Sequence, residues 1–106
     1  MVKRGDVWLV HLEPTVGSEN HKTRPCVVIS PDEINDHQRT IIVAPMTTDS
    51  RPAPFRISAR HAGKVGRILL DQIRVVDKMR LAKRVGMLSV NTMSSALDAL
   101  RDMFEE

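Results

Sequence analysis

The chain is predicted to be mainly β, closed by one helix, on the strength of three observations. Short runs rich in Val and Ile follow one another at close intervals through the first two-thirds, bounded by prolines and polar turns. Beyond Ser89 the apolar spacing changes to three and four residues, the period of one helix face. With 106 residues, 42% of them hydrophobic and 27% charged, the chain is long enough for one core but not for two. Many short strands and one terminal helix in a chain of this size predict a small, strongly curved antiparallel barrel, organised as a single domain over residues 1–106.

Taken in order, Asp6–Leu12 alternates as a first strand, with Val7 and Leu9 on one face and Trp8 and Val10 on the other. Cys26–Ser30 and Thr40–Ala44 are continuous apolar runs bounded by Pro25, Pro31 and Pro45, the pattern of strands buried on both faces. Pro31–Asp36 suits one helical turn, and Thr47–Pro54, with its hydroxyls and prolines, reads as a loop. Phe55–Ser58 and Arg67–Leu70 are shorter strand candidates, and Val75–Val76 and Arg84–Leu88 add edges. The terminal helix carries Met93, Ala96, Leu97, Leu100, Met103 and Phe104 on one stripe, which is expected to close the sheet as core, with Ser89 as its N-cap.

Composition narrows function. No apolar stretch approaches the roughly 20 residues that span a bilayer, and the N-terminus lacks a signal peptide's apolar region, so no membrane partner is expected. The single cysteine, Cys26, sits inside an apolar run and reads as a small buried hydrophobe in a reducing, cytoplasmic protein. The net charge of +3 favours an anionic partner. Arg74, Lys78, Arg80, Lys83 and Arg84 crowd a segment in which Asp77 is the only acid; this is either a footprint for nucleic acid or a solvated face. Trp8, Phe55 and Phe104 are the only aromatic residues, too few for a base-stacking platform.

The chemistry-bearing residues are sparse. His11, His21, His37 and His61 share no ligand spacing, Cys26 has no partner, and the acids form no paired cluster, so no metal or other cofactor is expected. No Gly-rich phosphate loop or nucleophile elbow occurs. One seam stands out. In Glu13-Pro14-Thr15-Val16-Gly17-Ser18-Glu19-Asn20-His21-Lys22-Thr23-Arg24-Pro25 a polar loop meets a buried strand at Arg24. Pro25 biases Arg24 to an extended backbone, aiming a guanidinium at loop space, where it can grip a phosphate or simply pair with Glu19. Val43-Ala44-Pro45-Met46-Thr47-Thr48 presents Thr47 at a strand end, as a hydroxyl donor or as a turn-former. Asp71-Gln72-Ile73-Arg74 offers an amide and a guanidinium able to read base edges, or a turn held by Asp71.

Together with Lys3-Arg4-Gly5-Asp6-Val7-Trp8-Leu9-Val10 and Leu69-Leu70-Asp71-Gln72-Ile73-Arg74-Val75-Val76-Asp77, these blocks resemble the MazF/PemK/Kid family of toxin endoribonucleases over nearly the whole chain. The resemblance implies an SH3-like barrel with a C-terminal helix, and a catalytic pair of Arg24 and Thr47. It also implies metal-independent, sequence-specific cleavage of single-stranded RNA, mainly mRNA, by attack of the 2′-hydroxyl on the adjacent phosphodiester. The products would be a 2′,3′-cyclic phosphate or 3′-phosphate and a 5′-hydroxyl, and the outcome arrest of translation and growth. Glu19, His21, Asp71, Gln72, Arg74 and Lys78 are the candidate substrate-binding residues, and the proton acceptor is left open among Glu19, Asp71 and His21. Kid's arginine two residues before the acid is Leu69 here, and its histidine before the Glu is Ser18, which favours the Arg24–Thr47 arrangement. A homodimer and a separate antitoxin with an acidic tail are implied as partners, with DNA reached only through the antitoxin complex. Two rivals stay open: a gyrase poison resembling CcdB on the same fold, and a non-catalytic nucleic-acid-binding barrel.

Overall fold

In the computed structural model, residues 1–12, 22–49 and 51–106 are described. Seven strands form one antiparallel sheet: β1 (Asp6–Val10), β2 (Arg24–Val28), β3 (Thr40–Thr47), β4 (Arg56–His61), β5 (Lys64–Leu69), β6 (Arg74–Asp77) and β7 (Leu81–Met87). The order is β4-β5-β3-β2-β1-β7, with β6 also paired to β3. A short helix, α1 (Asp32–Asn35), follows β2, and the long helix α2 (Val90–Met103) ends the chain. The sheet curls as a half-barrel. Two register shifts between β1 and β7 add twist to β7. The far ends of the strand order then meet, with Gly86 of β7 against the His61 ring of β4.

The proline-bounded runs are strands because they are buried on both faces. Val7, Val27, Ile29, Ala44, Met46, Ala59 and Ile68 pack into one core beneath Met93, Ala96 and Leu100 of α2. Val10, Cys26, Val28, Ile41, Val43 and Val76 point the other way into a second core, against which half-buried Trp8 packs. With side chains alternating between faces, two cores on one set of strands require apolar residues at every position. Cys26 is fully buried, and desolvation pushes its thiol up to about 11, so it packs as the hydrophobe the sequence predicts. Ser89 caps α2, accepting from Thr92 N at 3.1 Å while its own hydroxyl donates to Thr92 Oγ1.

Four expectations are corrected. β3 does not stop at Pro45 but runs on to Thr47. Pro45 falls in the gap between the pairing of Thr40–Val43 with β6 and that of Met46–Thr47 with β5, a place where a residue without an N–H is tolerated. The fragments expected at Phe55–Ser58 and Arg67–Leu70 are a full hairpin, β4 and β5, turning at Ala62 (φ 52°) and Gly63 (φ 76°); consecutive positive φ values suit a tight hairpin turn. Phe104 is not core: it is 71% exposed because α2 has ended there and Leu100 fills the last fully inward position. The first strand stops at Val10, two residues short of Leu12.

Candidate active site

Arg24 opens β2, opposite Val10 of β1, so its backbone is fixed by pairing while its side chain is exposed. The guanidinium donates to the carbonyl of Met46 at 3.3 Å, which ties it to the end of β3, one residue before Thr47. Arg24 and Thr47 then line one cavity of about 430 Å³, together with Thr48 and, from the β4–β5 hairpin, Ala59, His61, Lys64 and Gly66. Ala59 and His61 share one face of β4, and their register partners Gly66 and Lys64 share the same face of β5. The hairpin therefore presents this face to the cavity as its wall.

Thr47 forms the turn that the sequence offered as one of its two readings. Its Oγ1 accepts from Asp49 N at 3.1 Å, the turn that starts the following loop. Asp49 in turn holds Arg51 through backbone and side chain, and this guanidinium keeps the Asp49 carboxyl down at about 2. The bond from Asp49 N–H uses one lone pair of the Thr47 hydroxyl and leaves its O–H free to donate elsewhere. Gly66 makes the wall possible: a Cβ there would lie 2.1 Å from the carbonyl oxygen of Thr47. Only a residue without a side chain lets β5 approach this closely.

A second cavity, of about 490 Å³, meets the first at Arg24 and is lined by Leu12, Lys22, Thr23, Pro45, Gln72 and Arg74. Gln72 and Arg74, which neighbour Asp71 in sequence, share this cavity with Arg24 and not with Asp71. Arg74 is exposed, and its guanidinium has no hydrogen-bonding or ionic partner among the described residues.

Asp71 stands apart. Its two oxygens accept from Arg56 Nε and a terminal guanidinium nitrogen at 3.2 and 3.1 Å, and that hydrogen-bonded cation holds its carboxyl below the usual range. It lines neither cavity: the carboxylate reaches across to Arg56 of β4 and also accepts from its own backbone amide. The ammonium of Lys78 donates to the carbonyl of Asn35, which ties it to α1 and away from both cavities. Glu19 and His21 lie outside the described residues.

The basic segment is not one surface. Arg80 donates to the carbonyl of His11 at 3.1 Å, and Arg84 sits 3.1 Å from the buried carboxylate of Asp6. These cations are committed to holding β7 and its flanks, and only Arg74 reaches the cavities. Sequence reasoning missed His61, Lys64 and Gly66. The signal was the Ala62-Gly63 pair, a hairpin turn that brings the residues on either side of it into one wall. Among the described residues no three His, Cys, Asp or Glu side chains gather as metal ligands, and no helix is long and apolar enough to cross a membrane.

Over residues 3–104 the chain matches the family described as PemK-like, MazF-like toxin of type II toxin–antitoxin system. It is 38% identical over 107 residues to an endoribonuclease EndoA of Bacillus subtilis (strain 168), covering 95% of this chain and 92% of that protein. It is equally similar, 38% over 106 residues, to an endoribonuclease MazF of Staphylococcus epidermidis, covering 94% and 88%. An endoribonuclease solved in complex with its cognate antitoxin, from a mycobacterial species, superposes with a TM-score of 0.81 at 21% identity, over 96% of this chain and 93% of that one. A MazF of Deinococcus radiodurans superposes at 0.78 with 23% identity, over 95% and 94%.

Proposed function

The chain belongs to the PemK-like, MazF-like toxin family and is an endoribonuclease toxin of a type II toxin–antitoxin system, and on that footing we propose how it cuts. Single-stranded RNA lies across Arg24, with the scissile phosphate in the cavity of Thr47 and the neighbouring nucleotides in that of Gln72 and Arg74. Arg24 neutralises the phosphate, and Thr47 donates a hydrogen bond to the oxygen on which negative charge grows. The 2′-hydroxyl of the substrate attacks the adjacent phosphorus and the 5′-oxygen leaves, giving a 2′,3′-cyclic phosphate and a 5′-hydroxyl. RNA carries its own nucleophile, so positioning and charge stabilisation are the protein's main tasks.

The observation that carries this reading is the convergence of Arg24 and Thr47 on one cavity, with the Thr47 oxygen already accepting from Asp49 N and its proton left to donate. A gyrase poison would leave that pair without a task. Cleavage is sequence-specific, with Gln72 and Arg74 placed to read bases, and falls mainly on mRNA in the cytoplasm. The toxin acts as a homodimer and is silenced by a separate acidic antitoxin, a pairing supported by the mycobacterial endoribonuclease solved with its cognate antitoxin. The test is a mixed RNA and its all-DNA counterpart incubated with purified protein in EDTA. Cutting of the RNA alone, with 5′-hydroxyl ends, is expected. Cutting of DNA, or a requirement for added magnesium, overturns the internal-attack mechanism.

A further inference from the structure

The reaction needs a group to take the proton from the 2′-hydroxyl, and neither half of the Arg24–Thr47 pair is suited to it. A guanidinium stays protonated at any physiological pH, and a threonine hydroxyl is a very weak base. Asp71 is held at both oxygens by Arg56 and lines neither cavity. Among the described residues, the polar side chains around the scissile cavity are Arg24, Thr47, Thr48, His61 and Lys64. Of these residue types only imidazole ordinarily exchanges a proton near neutrality.

The geometry singles out the same residue. His61 lies two residues beyond Ala59 on the same face of β4, about 7 Å along the strand, and Ala59 pairs with the Gly66 that rests on the Thr47 carbonyl. Its ring is half-buried, and neither ring nitrogen is hydrogen-bonded among the described residues. The Nδ1–Cε1 edge faces Gly86, where an added Cβ would lie 3.3 and 3.2 Å from those atoms. The charged groups sharing the cavity are Arg24 of β2 and Lys64 of β5, with the hydroxyls of Thr47 at the end of β3 and Thr48 just beyond it; Gly86 of β7 lies against the ring itself.

We infer that His61 is a catalytic residue of the cleavage, its imidazole accepting the 2′-hydroxyl proton as the O2′–P bond forms; this rests on the endoribonuclease reading above. The bond between phosphorus and the 5′-oxygen breaks with its electron pair on that oxygen, which takes a proton from water. The imidazolium returns its proton to solvent before the next turnover. Gly86 acts as a positioning residue by giving the ring its space.

The test uses the full chain and a cleavable RNA oligonucleotide under single-turnover conditions, with a 2′-deoxy version of the scissile nucleotide as a binding probe. His61→Ala and His61→Gln are expected to slow cleavage about 10²- to 10⁴-fold, the usual worth of a positioned general base. Affinity for the deoxy probe should stay near that of the natural protein, and added imidazole should restore part of the His61→Ala rate. A measurement without any variant stands beside these. The NMR titration midpoint of the His61 ring should coincide with the low-pH limb of kcat/KM, which reports the free enzyme. Variants that cut at the unaltered rate, or a kinetic limb that departs from the ring's titration, overturn the role of His61 and leave the nuclease intact. A natural protein that cuts no RNA overturns the nuclease reading itself.

Discussion

The two cavities that meet at Arg24 are built by different means. The one holding Thr47 is walled by paired backbone: β3 against β5, β5 against β4, with Gly66 laid on the carbonyl of Thr47. The one holding Gln72 and Arg74 is lined by side chains from the start of β2 and the turn before β6, among them long cations. The first resists displacement, as catalysis of an internal attack requires, because small misplacements of charge-stabilising donors cost large factors in rate. The second can adapt to bases and phosphates of varied position. Arg24 belongs to both, its backbone fixed by β1 and its side chain exposed. On the proposed mechanism, the reacting phosphate and its neighbours fall to these two separable parts.

Removing the shared residue should have the largest effect. Arg24→Ala is expected to lower the cleavage rate on the order of 10²- to 10³-fold with an unchanged thermal midpoint. An active variant would divorce the two cavities from the chemistry. Next comes the wall itself. Gly66→Ala places a methyl against backbone that cannot step aside, so it should cost roughly 1–3 kcal/mol of stability and, measured below its melting point, slow cleavage by displacing Thr47. A stable, fully active Gly66→Ala would show that β3 and β5 have more freedom here than their contact implies.

The smallest effect is expected at the pair outside both cavities. Arg56 holds the Asp71 carboxyl below its ordinary value, so the folded pKa lies under the unfolded one. The pair's contribution is therefore complete above the unfolded carboxylate range, near 4, and is lost as pH falls through the lowered folded value. Both partners are partly exposed, which limits the contribution to about 0–1 kcal/mol. Asp71→Asn should leave cleavage near normal at neutral pH and flatten only the acid limb of stability. A large loss of cleavage would return Asp71 to the substrate.

Much of this was legible in the sequence. β1, β2 and β3 declared themselves through continuous apolar runs, since two cores draw on both faces of the same strands. Arg24 and Thr47 were marked by the prolines near them and by the resemblance those blocks carry. The β4–β5 hairpin was legible only as two short strand candidates, because Arg60, Lys64 and Ser58 face solvent and break the apolar run that signals a longer strand. The need for glycine at position 66 depends on an oxygen 19 residues away in sequence that only the fold brings near. The basic segment misled for a similar reason: Arg84 finds the buried Asp6 through the β1–β7 pairing, a partner no local pattern announces. Phe104 continued the helical stripe on paper, but the helix ends before it can turn inward.

The separation of the two cavities is tested most directly by one pair of variants in one experiment: single-turnover cleavage as a function of enzyme concentration for Thr47→Val and Arg74→Gln. The account predicts that Thr47→Val reaches a much lower plateau at nearly unchanged half-saturation. Arg74→Gln should reach nearly the same plateau at a higher concentration, with a salt dependence of affinity flattened by up to about 0.7 in log–log slope. The reverse assignment, a binding defect from Thr47→Val and a rate defect from Arg74→Gln, would contradict it.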